Sequence, residues 1–565
     1  MLKLGKYKTE ITAAILLVSS YLFLRLYNIM SLPLFTDESI YVRWSQIARY
    51  DASWRFISLT DGKQPSFVWL TMTVMRFIED PLLAGRLVSV LAGLVTMIGL
   101  YFLGRALFKN KWIGIISSFL YLIFPMALVY DRMALYDSLV GTFMVWSLYF
   151  CVLLVRTVRL DVALILGMII GGGMLTKTSA FFSAPLLFAT YLIFDWKQKA
   201  NMRLFKLIGL SLLSVGMAFG FYSILRLSPF YHIINDKNSL FAYPLNEWLQ
   251  HPTLYFISNL RGLFDWTLTY LTPPVFMIII ASFIVAGRWT RKDLMAFVKI
   301  SSPFIAIILV LNVLNTLRYL KTPGVEIQTL LPYVFFTLMF IVIWISIVRK
   351  HDFWKEKIVL FLWFIVPFVY LAFFGRTLYP RFIFFMLLPL LPLAAFSIFG
   401  LFGFIKNKAI LFMVILLIIA MSLYSNFFIV TNIAAAPIPR SDYEQYINNW
   451  PAGGGTEEII SYLKGESKKG KIYVASLGTF GSLPTYAVEI YLGDNRNVEK
   501  RGIYPVPSEI PEDLQETAKK MPVFLFVSNQ KEFEEAIENW PLALIAQYRK
   551  GSGKAYSMLY RVNPK

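Results

Sequence analysis

Leu34-Phe35-Thr36-Asp37-Glu38-Ser39 sets two adjacent carboxylates just beyond the first hydrophobic segment, residues 11–29. That segment is long enough to cross a bilayer, which takes about 17–25 apolar residues. Ionisable groups are costly near lipid, so an acid pair at a membrane face is a candidate for function. The same stretch also reads as a helix start. Thr36 would be the N-cap, with both acids in the first turn against the positive end of the helix dipole. The two readings are compatible, because that dipole also favours ionised carboxylates.

The rest of the chain is of a piece with this beginning. It has 565 residues, 57% hydrophobic and only 16% charged, with a mean hydropathy of +0.60. A soluble protein of this size carries more charge. The composition predicts a mainly α-helical, multi-pass membrane protein with room for one small soluble domain. Cys151, in an apolar run, is the only cysteine, so no internal disulfide forms and redox compartment cannot be read. No small-residue cleavage site follows the first segment, which reads as a retained helix.

Hydropathy predicts about thirteen spans, near residues 11–29, 82–108, 112–129, 139–155, 162–175, 181–194, 204–225, 263–286, 297–314, 329–348, 358–374, 382–404 and 409–430. Alternate connections are basic: Lys3, Lys6 and Lys8; Arg105, Lys109 and Lys111; Arg156 and Arg159; Lys197, Lys199, Arg203 and Lys206; Arg288, Arg291 and Lys292; Arg349, Lys350, Lys355 and Lys357; Lys406 and Lys408. Such loops are expected on the cytoplasmic side. They account for the net charge of +20 without a nucleic-acid partner. An odd number of spans then puts Asp37, Glu38 and the tail outside the cytoplasm, in the cell membrane's outward compartment.

Two outward loops are long. In the first, residues 30–81, Ile40, Trp44 and Ile47 fall at helical spacing, which predicts an amphipathic helix lying in the interface. The second, residues 228–261, is aromatic-rich and holds His232 and His251, read as ordinary loop residues. Residues 1–431 form the membrane domain and 432–565 a small α/β domain. In the latter Gly453-Gly454-Gly455 reads as a flexible joint. Strands are expected at 471–477 and 523–528, helices at 456–464, 511–520 and 531–539, and a hairpin at 543–550 and 555–562. Gly478-Thr479-Phe480-Gly481 is too short for a phosphate-binding fingerprint.

The outward connections hold charges that the cytoplasmic bias does not explain. They are Lys63-Gln64-Pro65, Asp131-Arg132-Met133-Ala134-Leu135-Tyr136-Asp137, Thr176-Lys177-Thr178, Arg318 and Lys321, and Arg376-Thr377-Leu378-Tyr379-Pro380-Arg381. Chemistry at a lipid phosphate needs cations to hold the phosphate and a carboxylate to take a proton. A single basic residue here would more simply anchor lipid headgroups; Lys63, Lys177, Arg376 and Arg381 together favour a site. Arg25 is expected to snorkel. No metal-ligand spacing of His or Cys appears, though Asp37 and Glu38 could share a divalent ion.

These motifs resemble a family. An Asp-Glu in the first outward loop, Lys63-Gln64-Pro65 further along it, Arg132 to Ser138 after the third span and Thr176-Lys177 are similar to the GT-C integral-membrane glycosyltransferases, the class of the protein O-mannosyltransferases and the lipid A aminoarabinose transferase. The resemblance covers residues 32–393. The Trp-Trp-Asp-Tyr-Gly signature of oligosaccharyltransferases is absent. About thirteen helices followed by a soluble carboxyl-terminal domain also resemble the aminoarabinose transferase, and the resemblance implies transfer of a sugar from a polyprenyl phosphate outside the cytoplasm. It makes Asp37 the essential first-loop acid, with Glu38 beside it, Lys63 a lysine near the lipid phosphate and Asp137 the acid after the third span. Ser66 stands where the family's second proline is usual.

The resulting expectation is a glycosyltransferase. Asp37 would deprotonate or orient an acceptor hydroxyl, with Glu38 and Asp137 in the catalytic group. Lys63, Lys177, Arg376, Arg381 and Tyr379 would hold the donor phosphate, and Asp131, Arg132 and Tyr136 would support the acceptor or the site. The acceptor could be protein, lipid or glycan. Direct displacement would invert the anomeric centre. The rival is a transporter of lipid-linked sugars, whose charges would lie near the midplane on broken, repeated helices.

Overall fold

The computed structural model describes residues 4–196, 201–285, 287, 289–299, 302–303, 306, 331–528 and 535–564. Arg318, Lys321 and most of the span expected at 297–314 lie outside them. The membrane part begins with α1 (Leu4–Leu26). An outward loop follows, carrying α2 (Thr36–Tyr50) and α3 (Ser66–Val74). Then come α4 (Pro81–Phe108), α5 (Lys111–Leu122), the short α6 (Pro125–Tyr130), α7 (Tyr136–Thr157) and α8 (Leu160–Met174). The main boundaries follow ordinary helix chemistry. Asp80 caps α4 by accepting from the Leu83 amide at 2.8 Å, with Pro81 at the first position, and Asn110 caps α5, each satisfying an amide the helix itself cannot.

Among the described residues six helices are long and apolar enough to cross a membrane. Two more crossings are broken: Phe256–Leu271 with Pro273–Ile284 bends by 99°, and Pro380–Leu387 with Leu390–Phe404 by 52°. Proline sits at the start of the second half in the first case, where the missing N–H cannot continue the ladder. Four apolar helices are shorter, Lys111–Leu122, Leu160–Met174, Thr178–Ile193 and Met339–Val348. By length and composition, then, six helices among the described residues could cross a membrane, or eight if each bent pair is one span. The segment expected at 181–194 is an α-turn flanked by 3-10 turns, not one regular helix.

The two ends of the bundle are told apart by what they carry. Glu10 near the start of α1 pairs with Arg105 at 3.4 Å and Lys111 at 3.3 Å. Arg156 pairs with Glu356 at 3.2 Å, and Arg203 donates to the Arg156 carbonyl at 2.9 Å. Connections expected to share the basic side therefore meet in space. Asp37, Asp137, Lys177 and Arg381 gather at the other end.

Within the bundle, Arg25 does not snorkel. It is fully buried and pairs with Asp131 at 3.4 Å, which also accepts from Tyr21 at 3.0 Å, Tyr121 at 3.1 Å and Ser138 at 2.8 Å. A buried cation with a hydrogen-bonded carboxylate beside it has no reason to seek the headgroups. Gly93 allows this approach, because a Cβ there would collide with the Asp131 carboxylate and Tyr21.

The tail forms a five-stranded sheet, β1 (Ile472–Leu477), β2 (Val498–Ile503), β3 (Val523–Ser528), β4 (Leu542–Arg549) and β5 (Tyr556–Val562), in the order β2-β1-β3-β5-β4. β1 is parallel to both β2 and β3, while β5 runs antiparallel to β3 and β4. The expected strands and hairpin are present. The 512–520 helix starts at Glu512, the 456–464 helix runs on to Lys469, and residues 529–534 lie outside the description. β2 and the helix Leu483–Leu492 were not expected, since Val498–Ile503 alternates weakly and carries three charged residues.

This sheet unit is docked on the membrane part. Thr36 donates through its backbone at 3.1 Å and its hydroxyl at 2.9 Å to the Pro451 carbonyl. Arg43 pairs with Glu489 at 2.7 Å, and Gln46 donates to the Ile490 carbonyl at 3.1 Å. Trp44, 1% exposed, packs on Phe480 with ring centres 6.1 Å apart. So α2 is amphipathic as expected, but protein rather than lipid covers its apolar face. The triple glycine is no free joint either. Gly453 lies against the Leu34 backbone, and Gly455, at φ +82°, lies against Tyr548. Gly453 is needed because two backbones meet there, and Gly455 because its φ is left-handed and the Tyr548 side chain fills the space of a Cβ.

The charge alternation predicts that the sheet unit is extracytoplasmic. In intact cells a membrane-impermeant thiol reagent should label K468C and spare K408C. Labelling of K408C alone would invert the orientation.

Candidate active site

The acid pair splits into two roles at the start of α2. Phe35, not Thr36, is the N-cap residue, and Glu38 at the third helical position reaches back to accept from the Phe35 amide at 3.1 Å. The Glu38 carboxylate is fully buried. It receives Arg86 Nε and Nη2, each at 2.9 Å, and the Ala134 amide at 2.7 Å. Both oxygens are thus occupied by N–H donors, so Glu38 cannot share a metal ion with Asp37. Its place is structural: it ties α2 to α4 and to the turn before α7. Among the described residues no group of three His, Cys, Asp or Glu is placed to hold a metal.

Asp37, one residue earlier, points elsewhere and keeps a quarter of its surface exposed. Its carboxylate pairs with Arg381 Nη2 at 2.8 Å. Arg381 follows Pro380 in the 3-10 turn Pro380–Ile383, and its guanidinium lies over Phe35 at 5.7 Å and Tyr379 at 5.1 Å. Those rings orient the cation from behind.

Arg381 also lines a cavity of about 460 Å³ at the same end of the bundle. Lys63, Lys177 and Lys237 line it too, with one carboxylate, Asp137. Lys177 donates to Asp137 at 2.7 Å, and Lys237 to Asp61 at 2.6 Å. Lys63 has no carboxylate within ion-pair distance among the described residues; its ammonium lies over the Phe241 ring at 4.9 Å. Burial, reinforced by Lys177, pulls the Lys63 pKa down to about 8, against the pull of Asp37. Burial likewise lowers Lys177, although Asp137 opposes it. One wall is aromatic, with Phe181, Phe182, Phe241, Tyr370, Phe382 and Phe385. The arrangement suits a ligand with an anionic group and a long apolar part.

Of the residues singled out from sequence, Lys63, Tyr136, Asp137, Lys177 and Arg381 come together in this cavity, and Asp37 joins through Arg381. Arg376 does not. It is half-exposed, pairs with Glu247 at 3.4 Å and lies over Tyr243. Its backbone still matters, since its N–H holds the Phe241 carbonyl at 2.9 Å. Tyr379 meets the site only as a ring under Arg381. Asp131 belongs to the buried Arg25 network, and Arg132 donates to the carbonyls of Tyr27 and Asn28 at 2.9 and 2.7 Å. Charge alone could not reveal that burial. Lys237, Asn238 and Phe241, from the second outward loop, were not expected to contribute. Only that loop's length signalled a task.

Residues 62–220 match the family model for dolichyl-phosphate-mannose-protein mannosyltransferase. No curated protein sequence matches the chain. Its fold is similar over 99% of its length to that of ArnT from Cupriavidus metallidurans bound to undecaprenyl phosphate, with 100% of that chain covered, a TM-score of 0.52 and 13% identity. The apo state of the same enzyme gives 0.51 at 12% identity, again over 99% and 100%. The oligosaccharyltransferase AglB from Archaeoglobus fulgidus, in complex with an inhibitory peptide and a dolichol-phosphate, gives 0.48 at 11% identity over 96% of this chain and 73% of that one.

The split of the acid pair has a measurable consequence. Glu38→Ala would leave the Arg86 guanidinium buried without its counter-charge, which typically costs about 3–5 kcal/mol. Asp37→Asn should cost far less, because Asp37 is partly solvated. Thermal unfolding in detergent should show E38A strongly destabilised or unfolded and D37N close to wild type. Residues 62–220 thus match the sequence pattern of that mannosyltransferase family, and the chain as a whole has a fold similar to that of ArnT.

Proposed function

We propose that this protein is a glycosyltransferase that moves a sugar from a polyprenyl-phosphate donor to an acceptor hydroxyl on the extracytoplasmic side of the membrane. The observation that carries this reading is the cavity itself. Three lysines and Arg381 surround it, an aromatic wall runs along it, and a carboxylate is held by one of its cations. The undecaprenyl phosphate bound to ArnT, which shares the fold, supports a donor of that class. A transporter finds no such support.

In this reading the donor phosphate sits among Lys63, Lys177 and Arg381. Lys63, with no carboxylate of its own, has its full charge to offer. The aromatic wall receives the first part of the polyprenyl chain. The acceptor oxygen attacks the anomeric carbon as the bond to the phosphate oxygen breaks, through an oxocarbenium-like state. The polyprenyl phosphate leaves with the electron pair, stabilised by the cations as its charge develops. Asp37 takes the acceptor's proton, and Arg381 fixes the direction of its carboxylate. One direct displacement inverts the anomeric centre. Asp137 keeps Lys177 charged and oriented. No divalent ion is assigned to the step.

Two measurements test this. D37N should lower turnover by about 10²–10⁴-fold, the usual worth of a general base, while leaving binding of polyprenyl phosphate in place. Near wild-type turnover would reduce Asp37 to a partner of Arg381. Binding of polyprenyl phosphate should also depend on the charge of Lys63. The ammonium is present below about pH 8 and lost above it, so affinity should fall as pH rises through that value. In K63A affinity should be lower throughout and that titration should vanish. An unchanged pH profile in K63A would remove Lys63 from the phosphate site.

A further inference from the structure

A second cavity lies in the sheet unit, well apart from the first. It measures about 400 Å³ and is lined by Trp450, Leu477, Gly478, Thr479, Gly481 and Ser528 among others. Its place in the sheet is informative. The order β2-β1-β3 means that the connection leaving β1 goes to one side, and the chain returns to the other side to form β3. The carboxyl ends of β1 and β3, Leu477 and Ser528, are therefore the point where the winding reverses, and open α/β sheets bind ligands in the crevice outside such a point.

The chemistry of the crevice is one-sided. Behind it is Lys550, with no exposed surface. Its ammonium donates to Ser528 Oγ at 2.7 Å and to the Trp450 carbonyl at 2.9 Å, both on lining residues. No carboxylate lies within ion-pair distance of it among the described residues. Burial pulls its pKa down to about 7. An ammonium has three donors, and a buried cation lacking a counter-charge is costly. In front, the turn after β1 carries Gly478 at φ +86° and Gly481 at φ +77°. The amides of Thr479 and Phe480 take no partner among the described residues. The helix Leu483–Leu492 begins just beyond, adding its positive end.

We infer that this crevice binds an oxyanion, a phosphate-type group, held by the Thr479 and Phe480 amides of the turn after β1, with Lys550 supplying the charge from behind Ser528, whose hydroxyl is held on the Trp450 carbonyl at 3.2 Å. Phe480 of the same turn packs on Trp44 of α2, so the turn that would hold the anion also touches the helix that carries Asp37. The inference does not rest on the proposed transfer reaction.

The test uses the full-length protein in phosphatidylcholine nanodiscs, titrated calorimetrically with inorganic phosphate and with a short-chain phosphatidate. Thr479→Glu puts a carboxylate at an exposed position of the turn and should fold normally; Lys550→Met removes the buried charge. Saturable binding to wild type is expected, weakened about tenfold or more in T479E, and in K550M where that variant folds. Tighter binding of phosphatidate would assign a lipid headgroup, and equal binding a free phosphate group; either supports the site. No saturable binding to wild type, or equal binding to T479E, would overturn it. So would binding lost in K177A but kept in T479E, since the anion would then occupy the membrane cavity.

Discussion

The buried pair between Glu38 and Arg86 is the contact on which the outward face depends. A carboxylate and a guanidinium with no solvent access persist only where every donor and acceptor is matched. Here Arg86 from α4 meets Glu38 on α2, and the amides of Phe35 and Ala134 complete the set. The result fixes the rotation of α2 about its axis. Once Glu38 faces the bundle, Asp37, one residue and about 100° away on a helix of 3.6 residues per turn, must face Arg381. The pair that looks redundant in sequence splits into a buried lock, Glu38, and a partly exposed carboxylate, Asp37, paired with Arg381.

The sheet unit holds the same helix from the other side. Pro451, Glu489, Ile490 and Phe480 all touch α2, so the helix lies between two rigid bodies. That arrangement fixes the angle at which α2 presents the Asp37 carboxylate to Arg381. It also gives the tail a mechanical part in the site, whatever it binds.

Electrostatics in the membrane cavity are deliberately unbalanced. Each cation that lines it except Lys63 has a carboxylate within 3 Å. Paired cations hold their places and resist losing their protons to burial; Lys63 is the one whose charge is not matched by a carboxylate among the described residues. An aromatic ring under Lys63 holds the ammonium without neutralising it, a function no carboxylate could perform.

The sequence by itself determined a good deal. Apolar runs and the alternation of basic loops gave a helical membrane protein with a two-ended character, since water and lipid impose that pattern span by span. The tail's strands and hairpin were legible from local alternation, and Asp37, Lys63, Asp137, Lys177 and Arg381 stood out as charges that the basic-loop bias does not explain, alongside Asp131, Arg132 and Arg376, which the structure places elsewhere. Tertiary structure decided what local pattern cannot encode. It separated Glu38 from Asp37, and buried Asp131, Arg132 and Arg25 in the bundle. It turned Arg376 outward and brought Lys237 and Phe241 from a loop about sixty residues beyond Lys177. It also put protein where lipid was expected on α2. The physical reason is the same in each case. A charged side chain is recognisable from its type, but its role depends on which partner stands within about 3 Å, and that is set by chain segments far away in sequence.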